Sequence, residues 1–355
     1  MHFGLTEEQE LLQETVRGFI DGECPPPRLR EIFDGGAGHD PTLWKGLAEM
    51  GLTGLIVPEA HGGAGLELLE LSLVMESMGG GALPGPFLGH SLASLAIALG
   101  GSAGQQARWL PGLASGELVG SIAIAESADG WDPESFRLDG PSLSGTKVHV
   151  PFAELADLLV VATAGGGLAV VERGASGIRV EATPGIDRTR PIASLHFADT
   201  PAEALATPVF DRVRDAALAL LAADAFGAAA NLTKITTEYA KTRQQFGRPI
   251  AEFQSVKHQL ADMATQLEPT RGLFWFAAHA FDARPEEASR AAAVAKAQIC
   301  DRAVGIARDA VELHGGLGFT WECDVQIWFK RAMFDRAFFG TPEHHRARIA
   351  TLGGY

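Results

Sequence analysis

Arg243, Phe246, Gly247, Gln254, Gly315 and Gly316 are residues whose types and spacing suit a phosphate-bearing ligand. Arg243 stands just past a long helical pattern and just before a Phe246-Gly247 turn. A guanidinium there can fork onto a pyrophosphate with two charge-assisted hydrogen bonds, or else form a surface salt bridge. Phe246 offers a flat apolar face, for a ligand or for core packing. Gly315-Gly316 carries no Cβ, so a phosphate or ribose can approach the backbone; a plain helix C-cap is the alternative. Gln254 supplies an amide at the start of the next helix, or a simple cap.

Any such anion is held locally, because the whole chain repels it. The formal charge is -15, which disfavours nucleic acid as a partner. No apolar run suggests a membrane span. The segment from Met1 to Gln13 carries Glu instead of Lys or Arg and lacks a signal-peptide core. Cys24, Cys300 and Cys323 have no metal-ligand spacing and suit buried, reduced thiols in a cytoplasmic protein.

The elements that must position these residues fall into three runs. Thr6 to Gln9 has the form of a capping box, followed by Leu12, Val16 and Phe19/Ile20 at helical spacing. Pro25-Pro26-Pro27 is expected to stop that helix. A Gly-rich stretch (Gly35 to Asp40) and further helical patterns around Leu43–Met50, Leu66–Met78 and Ser91–Leu99 complete a helical unit over 1–115. Strand-like runs follow between Ser121 and Phe197, separated by Gly, Pro and Asp, which predicts a small β-barrel or sandwich over 116–205. The helical period returns near Asp211. Val256, Leu260, Met263 and Leu267 form one stripe, and Pro285 to Leu313 a long Ala-rich run, within a unit over 206–355. Segregated runs of this kind predict an α+β multi-domain fold, and the absence of a G-x-G-x-x-G after a strand disfavours a Rossmann reading.

Tyr239 to Ile250 (YAKTRQQFGRPI) resembles the "Y-A-x-x-R-x-x-F-G-x-x-I" segment of the acyl-CoA dehydrogenase family. Phe253 to His258 and Leu260 to Met263 continue it, and Leu313 to Phe319 (LHGGLGF) resembles the family's "Q-x-x-G-G-x-G-F" signature, with Glu312 in place of the usual Gln. The resemblance implies an N-terminal helical domain, a middle β-barrel and a C-terminal four-helix bundle. It also implies FAD as cofactor and, across an interface, contacts from Arg243, Gln245, Phe246, Ile250, Phe253, Gln254, Glu312, Leu313, Gly315 and Gly316 to the ADP half of a neighbouring subunit's FAD. The partners it implies are an acyl-CoA substrate and an electron-transfer flavoprotein.

The same resemblance exposes a gap. The family reaction needs a carboxylate to take the α-proton of the thioester. Phe339, just before Gly340-Thr341, stands where most members carry that Glu, and Ala217 stands at the minority position. Asp215 and Glu343 are the nearest substitutes. Toward the flavin ring, Ala125-Glu126-Ser127 replaces Thr-Glu-Pro, and His149-Val150-Pro151 replaces Trp-Ile-Thr. Phe87 and Trp131 suit either a pocket wall or plain core.

Losses on the ring side beside an intact nucleotide side make the chain resemble the short, non-catalytic subunit of heteromeric (α2β2) steroid-type acyl-CoA dehydrogenases. The expectation is a Glu-bearing partner subunit that carries the base. Three alternatives remain: a homo-oligomeric enzyme using Asp215 or Glu343, a flavin-free structural binding module on the same fold, and a non-dehydrogenase flavoenzyme on that fold.

Overall fold

The computed structural model describes residues 4–354; Met1, His2, Phe3 and Tyr355 lie outside the described residues, and with them the first positions of the segment read above for a signal peptide. Six helices come first: α1 (Glu7–Glu23), α2 (Pro26–Gly35), α3 (Pro41–Glu49), α4 (Leu68–Gly80), α5 (Phe87–Gly100) and α6 (Ala103–Ala114). The Thr6 capping box is present, with the Gln9 N–H donating to Thr6 Oγ1 at 3.2 Å and the Thr6 N–H to Gln9 Oε1 at 3.0 Å. Such a cap contributes about 1 kcal/mol.

Two of these helices depart from the expectation. Pro25 to Pro27 do not simply end α1; Pro26 and Pro27 start α2, where a missing N–H costs nothing because the first turn has no acceptor for it. Leu29 and Phe33 are then buried. Helix α6 tolerates Pro111 inside it and opens on a second capping box, Ser102 with Gln105.

Eight strands follow: β1 (Gly120–Ala123), β2 (Leu138–Asp139), β3 (Ser142–Pro151), β4 (Leu158–Thr163), β5 (Gly167–Glu172), β6 (Ile178–Thr183), β7 (Ile192–Pro201) and β8 (Glu203–Ala204). They form two separate sheets, ordered β1-β4-β5-β8 and β2-β3-β7-β6. Only β1 and β4 run parallel. The expected closed barrel is therefore corrected to two open sheets, which share one apolar filling of Phe136, Leu143, Val150, Val161, Leu195 and Phe197. β3 pairs with β7 through a register shift between Lys147 and Val150, the mark of a bulge.

The chain then re-enters helix: α7 (Phe210–Thr242), a two-residue hairpin of β9 (Gln244–Gln245) and β10 (Arg248–Pro249), then α8 (Gln254–Leu267), α9 (Arg271–Ala283), α10 (Pro285–Leu313), α11 (Val325–Ala337) and α12 (Pro342–Leu352). Contrary to the expectation of no membrane-length run, α7 is long and apolar enough by composition to cross a membrane, but 83% of its apolar window is buried inside the protein.

Two compact units emerge from the packing. One takes in the described residues of Met1–Glu31, Ser72–Leu83 and Leu218–Tyr355; the other takes in Ile32–Leu71 and Pro84–Ala217. Within the first, α4 and α7 cross at glycine. A Cβ on Gly79 would lie 2.0 Å from the Asp224 carbonyl oxygen, and one on Gly227 would lie 1.9 Å from that of Glu76. Only a residue without a side chain permits that approach.

Candidate functional site

All ten residues proposed to read a nucleotide fall within the first unit, and most are exposed. Helix α7 ends at Thr242, and β9 and β10 pair antiparallel, Arg248 opposite Gln245. Phe246 and Gly247 form the tip, with φ of +52° and +80°. Left-handed backbone at both central positions is what a two-residue hairpin of this twist demands. Gly adopts it freely, whereas Phe pays roughly 1–2 kcal/mol. The Phe246 ring is nonetheless 92% exposed, with the edge of Phe253 at 6.0 Å. Arg248 lies 4.3 Å over Phe253 and stiffens the base of the hairpin. The Ile250 N–H donates to the Arg243 carbonyl at 2.8 Å and closes it.

Arg243 itself is exposed, and its guanidinium makes no hydrogen bond or ion pair among the described residues. The surface salt bridge weighed above is thus absent there. Gln245 is exposed and spends its amide on the Gln244 carbonyl at 2.8 Å. Gln254 does not cap α8; it begins that helix, its amide 3.2 Å from His258 Nε2.

At the far end of α10, Gly315 takes φ of +62° and ends the helix, so the cap role is real. A Cβ on Gly315 or Gly316 would meet nothing within 4 Å, so the same glycines leave the backbone open to a ligand. Beneath them, the Tyr239 ring stacks on His314 at 4.3 Å, which ties the end of α7 to the end of α10. Leu313 is buried and anchors the turn. Glu312 is exposed, with Gln259 at 3.5 Å. Burial first, then Glu312 and Asp262, push the nearby Asp309 carboxyl up.

The site reading missed several neighbours. Phe319 is 78% exposed, and Leu317 and Trp321 are exposed beside it in sequence. Trp321 carries Lys330 at 4.2 Å over its ring. Apolar residues at Leu317, Phe319 and Trp321, in a Gly-rich turn that no helix or strand can bury, were the available signal.

The base position is closed. Phe339 is 1% exposed and sits at φ +61°, followed by Gly340 at φ +100°. His345 Nε2 donates to the Phe339 carbonyl at 2.9 Å and holds the turn. The Phe339 ring packs edge-on against Phe338, which stacks on Phe334 at 4.8 Å. Around the helices α7, α10 and α11 lie further buried polar groups: Asp224 with Arg331, and Lys296 donating to the Asp335 carbonyl. Burial pushes the Cys300 thiol up to about 12. The thiol is inert at neutral pH.

The substitute carboxylates belong to different units. Glu343 lies in the first turn of α12, its side chain 62% exposed, with Arg336 at 2.9 Å and Arg346 at 3.7 Å. Its own backbone N–H and the Thr341 hydroxyl hold its carboxyl below the usual range, which makes it a poorer base. Asp215 is buried on α7 in the second unit, as is Ala217. Cys24, Cys300 and Cys323 are all buried free thiols, and no group of His, Cys, Asp or Glu that could hold a metal occurs among the described residues.

Also in the second unit, Glu126 receives the Ser135 hydroxyl at 2.5 Å and the Phe136 N–H at 2.9 Å, and lies 3.4 Å from the buried Lys147. Burial alone would raise its pKa, but these partners together bring it down to about 2.

Comparison with known proteins accounts for this arrangement. Residues 217–352 match the family model described as "Acyl-CoA dehydrogenase, C-terminal domain", and residues 6–117 match the corresponding N-terminal domain. The chain is similar to acyl-CoA dehydrogenase IpdE2 of Mycobacterium tuberculosis, 33% identical over 344 residues, covering 97% of this chain and 96% of that protein. IpdE2 of Mycolicibacterium smegmatis is 31% identical over 346 residues, covering 97% and 98%. Among solved structures, a variant of the Tcur3481-Tcur3483 steroid ACAD superimposes with a TM-score of 0.91 at 33% identity, covering 98% of each chain. The chain belongs to the acyl-CoA dehydrogenase family of FAD flavoprotein oxidoreductases.

Proposed function

We propose that this chain is the non-catalytic subunit of a heteromeric, FAD-dependent acyl-CoA dehydrogenase acting on a steroid-derived acyl-CoA. One contrast carries the reading: Arg243 is exposed and unengaged, whereas Phe339 at the base position is sealed. Phe cannot take the α-proton, so the carboxylate belongs to a partner chain. What this chain offers that partner is the Phe246 hairpin, Arg243 and the Gly315-Gly316 turn, which suit the pyrophosphate and ribose of FAD. FAD supplies the electron sink when bound; these residues orient it and neutralise its phosphates.

The likeness to a steroid ACAD whose name joins two designations supports both the substrate class and the pairing. An α2β2 assembly, an electron-transfer flavoprotein as acceptor, a cytoplasmic location and the three-part division at 115/116 and 205/206 belong to the same proposal. So does a four-helix core within the C-terminal helices.

The test is co-purification with a Glu-bearing relative. The pair should be yellow and dehydrogenate acyl-CoA, and Arg243→Ala in this chain should strip FAD from it. A homo-oligomer of this chain that turns over acyl-CoA by itself would refute the proposal.

A further inference from the structure

The residues of the second unit that should edge an isoalloxazine ring do not fit one. By the family resemblance, the ring is flanked by the strand ends at 125–127 and 149–151. In this structure several backbone groups at or next to both ends are already committed. The Val148 N–H donates to the Ala125 carbonyl at 2.9 Å, and the Glu126 N–H to the Gly130 carbonyl at 3.0 Å. The Phe152 N–H donates to the Pro191 carbonyl at 2.9 Å, while Ser121 Oγ donates to the Pro151 carbonyl. Pro151 has no N–H to give. It has no hydroxyl either, so position 151 offers a flavin N or O no donor.

The space is taken as well. The loop after β1 doubles back through the Gly130 N–H to Ser127 carbonyl bond at 3.2 Å, and the Glu126 carboxylate clamps its return at Ser135 and Phe136. The next residue after Gly130 is Trp131, 8% exposed, whose ring stacks on His149 with centroids 5.8 Å apart and planes 21° from parallel. Asp132 then binds Arg214 on α7 at 3.1 Å, fixing the loop from its other side.

His149 reaches the stack from the β3 bulge at φ +58°, a left-handed conformation that costs a β-carbon residue roughly 1–2 kcal/mol and persists only where its surroundings hold it. Its ring also hydrogen-bonds the Ala128 backbone. Aromatic faces in van der Waals contact leave no gap for a third flat ring.

We infer that Trp131, stacked on His149, closes this chain's own flavin-ring seat, so that the chain serves a partner's FAD without holding an isoalloxazine of its own. The inference rests on the proposed function for its meaning, but its test does not.

The full-length chain is titrated into riboflavin, which carries the ring without the ADP half, and riboflavin emission is followed. Wild type should leave the emission unchanged. Trp131→Ser and, independently, His149→Gly should open the seat and bind riboflavin at least about tenfold more tightly, the equivalent of one aromatic contact. His149→Gly also relieves the strained backbone, so it guards against a misfolded Trp131→Ser. Trp131→Phe keeps an aromatic face there and should behave as wild type. Quenching by the wild-type chain that Trp131→Ser abolishes would overturn the inference, since Trp131 would then be a wall of a working seat. Two folded variants that gain nothing would overturn it too. Neither result touches the proposed function, which stands or falls on Arg243 and FAD retention by the pair.

Discussion

Arg331 grips Asp224 with two parallel bonds, Nε to Oδ2 at 2.8 Å and NH2 to Oδ1 at 2.7 Å, and both side chains are almost fully buried. NH1 of the same guanidinium donates to the Leu83 carbonyl at 3.1 Å. The pair therefore bolts α11 to α7 and to the end of the α4 turn. Asp224→Ala takes the bidentate carboxylate away from a buried guanidinium, so it should destabilise the protein by about 3–5 kcal/mol. The double change Asp224→Ala/Arg331→Met should cost less than Asp224→Ala alone. Guanidinium denaturation of wild type and the two variants decides it; a double variant weaker than the single would contradict the buried-pair account.

Arg243→Ala should leave stability within about 0.5 kcal/mol, since this exposed guanidinium has no partner among the described residues. FAD retention by the assembled pair should drop about tenfold to a hundredfold, the worth of hydrogen bonds to a charged group. Thermal melts and flavin absorbance after gel filtration measure the two separately.

Phe246→Gly should separate strain from function. It removes a ring held at φ +52°, so the chain alone should gain up to about 1 kcal/mol. The same variant should hold FAD less well in the pair, having lost its only large exposed face on the hairpin. A variant that is both weaker and unchanged in FAD retention would show that the ring has no role beyond packing.

Phe339→Glu restores the family's residue but not its setting. The site is 1% exposed and lined by Phe338, so a carboxylate there is cut off from water. We expect a loss of roughly 3–5 kcal/mol, as for an uncompensated buried charge, and no dehydrogenation by the chain alone in a dye-linked assay. A stable, active homo-oligomer would show that only the base was missing.

Acid should unfold the protein from the histidines inward. Burial lowers His90 to about 4 and, with Lys296 adding to it, His345 to about 3. His90 is held between the Thr53 carbonyl at 3.1 Å and the Gly120 N–H at 3.2 Å. Both pKa values lie below that of the unfolded chain, so below pH 6.5 the unfolded state binds the extra protons. Stability is fully present above about pH 6.5 and is lost as pH falls toward 4 for His90 and toward 3 for His345, on the order of 3 kcal/mol or more per group. Urea melts between pH 7 and pH 4 should show this slope, and His345→Gln should make it shallower.

Much of the helical architecture was legible because its signals are local. Thr6 with Gln9 announces α1, and Pro285 at the first turn with Gly315 past the last bounds α10 at its predicted ends. The hairpin at Phe246 follows from a Gly beside a short polar run. Other features depend on which strand meets which. Whether eight short strands close into a barrel is decided by pairing, and here β1 pairs with β4 and β3 with β7, leaving two open sheets. The Pro25–Pro27 run reads equally as an end and a beginning, and only burial of Leu29 and Phe33 chooses. Around the candidate site, the local spacing after Arg243 was enough to place the turn at Phe246-Gly247. The Trp131–His149 stack was invisible, since a loop and a bulge bring together two rings with no periodic relation.

The crossing of α4 and α7 at Gly79 and Gly227 bears on how such a chain changes through its ancestry. Every single-base change that replaces glycine adds a side chain or ends the message, and each such side chain begins with the Cβ that these two positions have no room for. Selection against misfolding therefore holds both glycines in place whether or not any chemistry survives. A lineage can trade away its base and its ring seat while these two letters stay unchanged, so the marks that outlast the reaction are those of the scaffold.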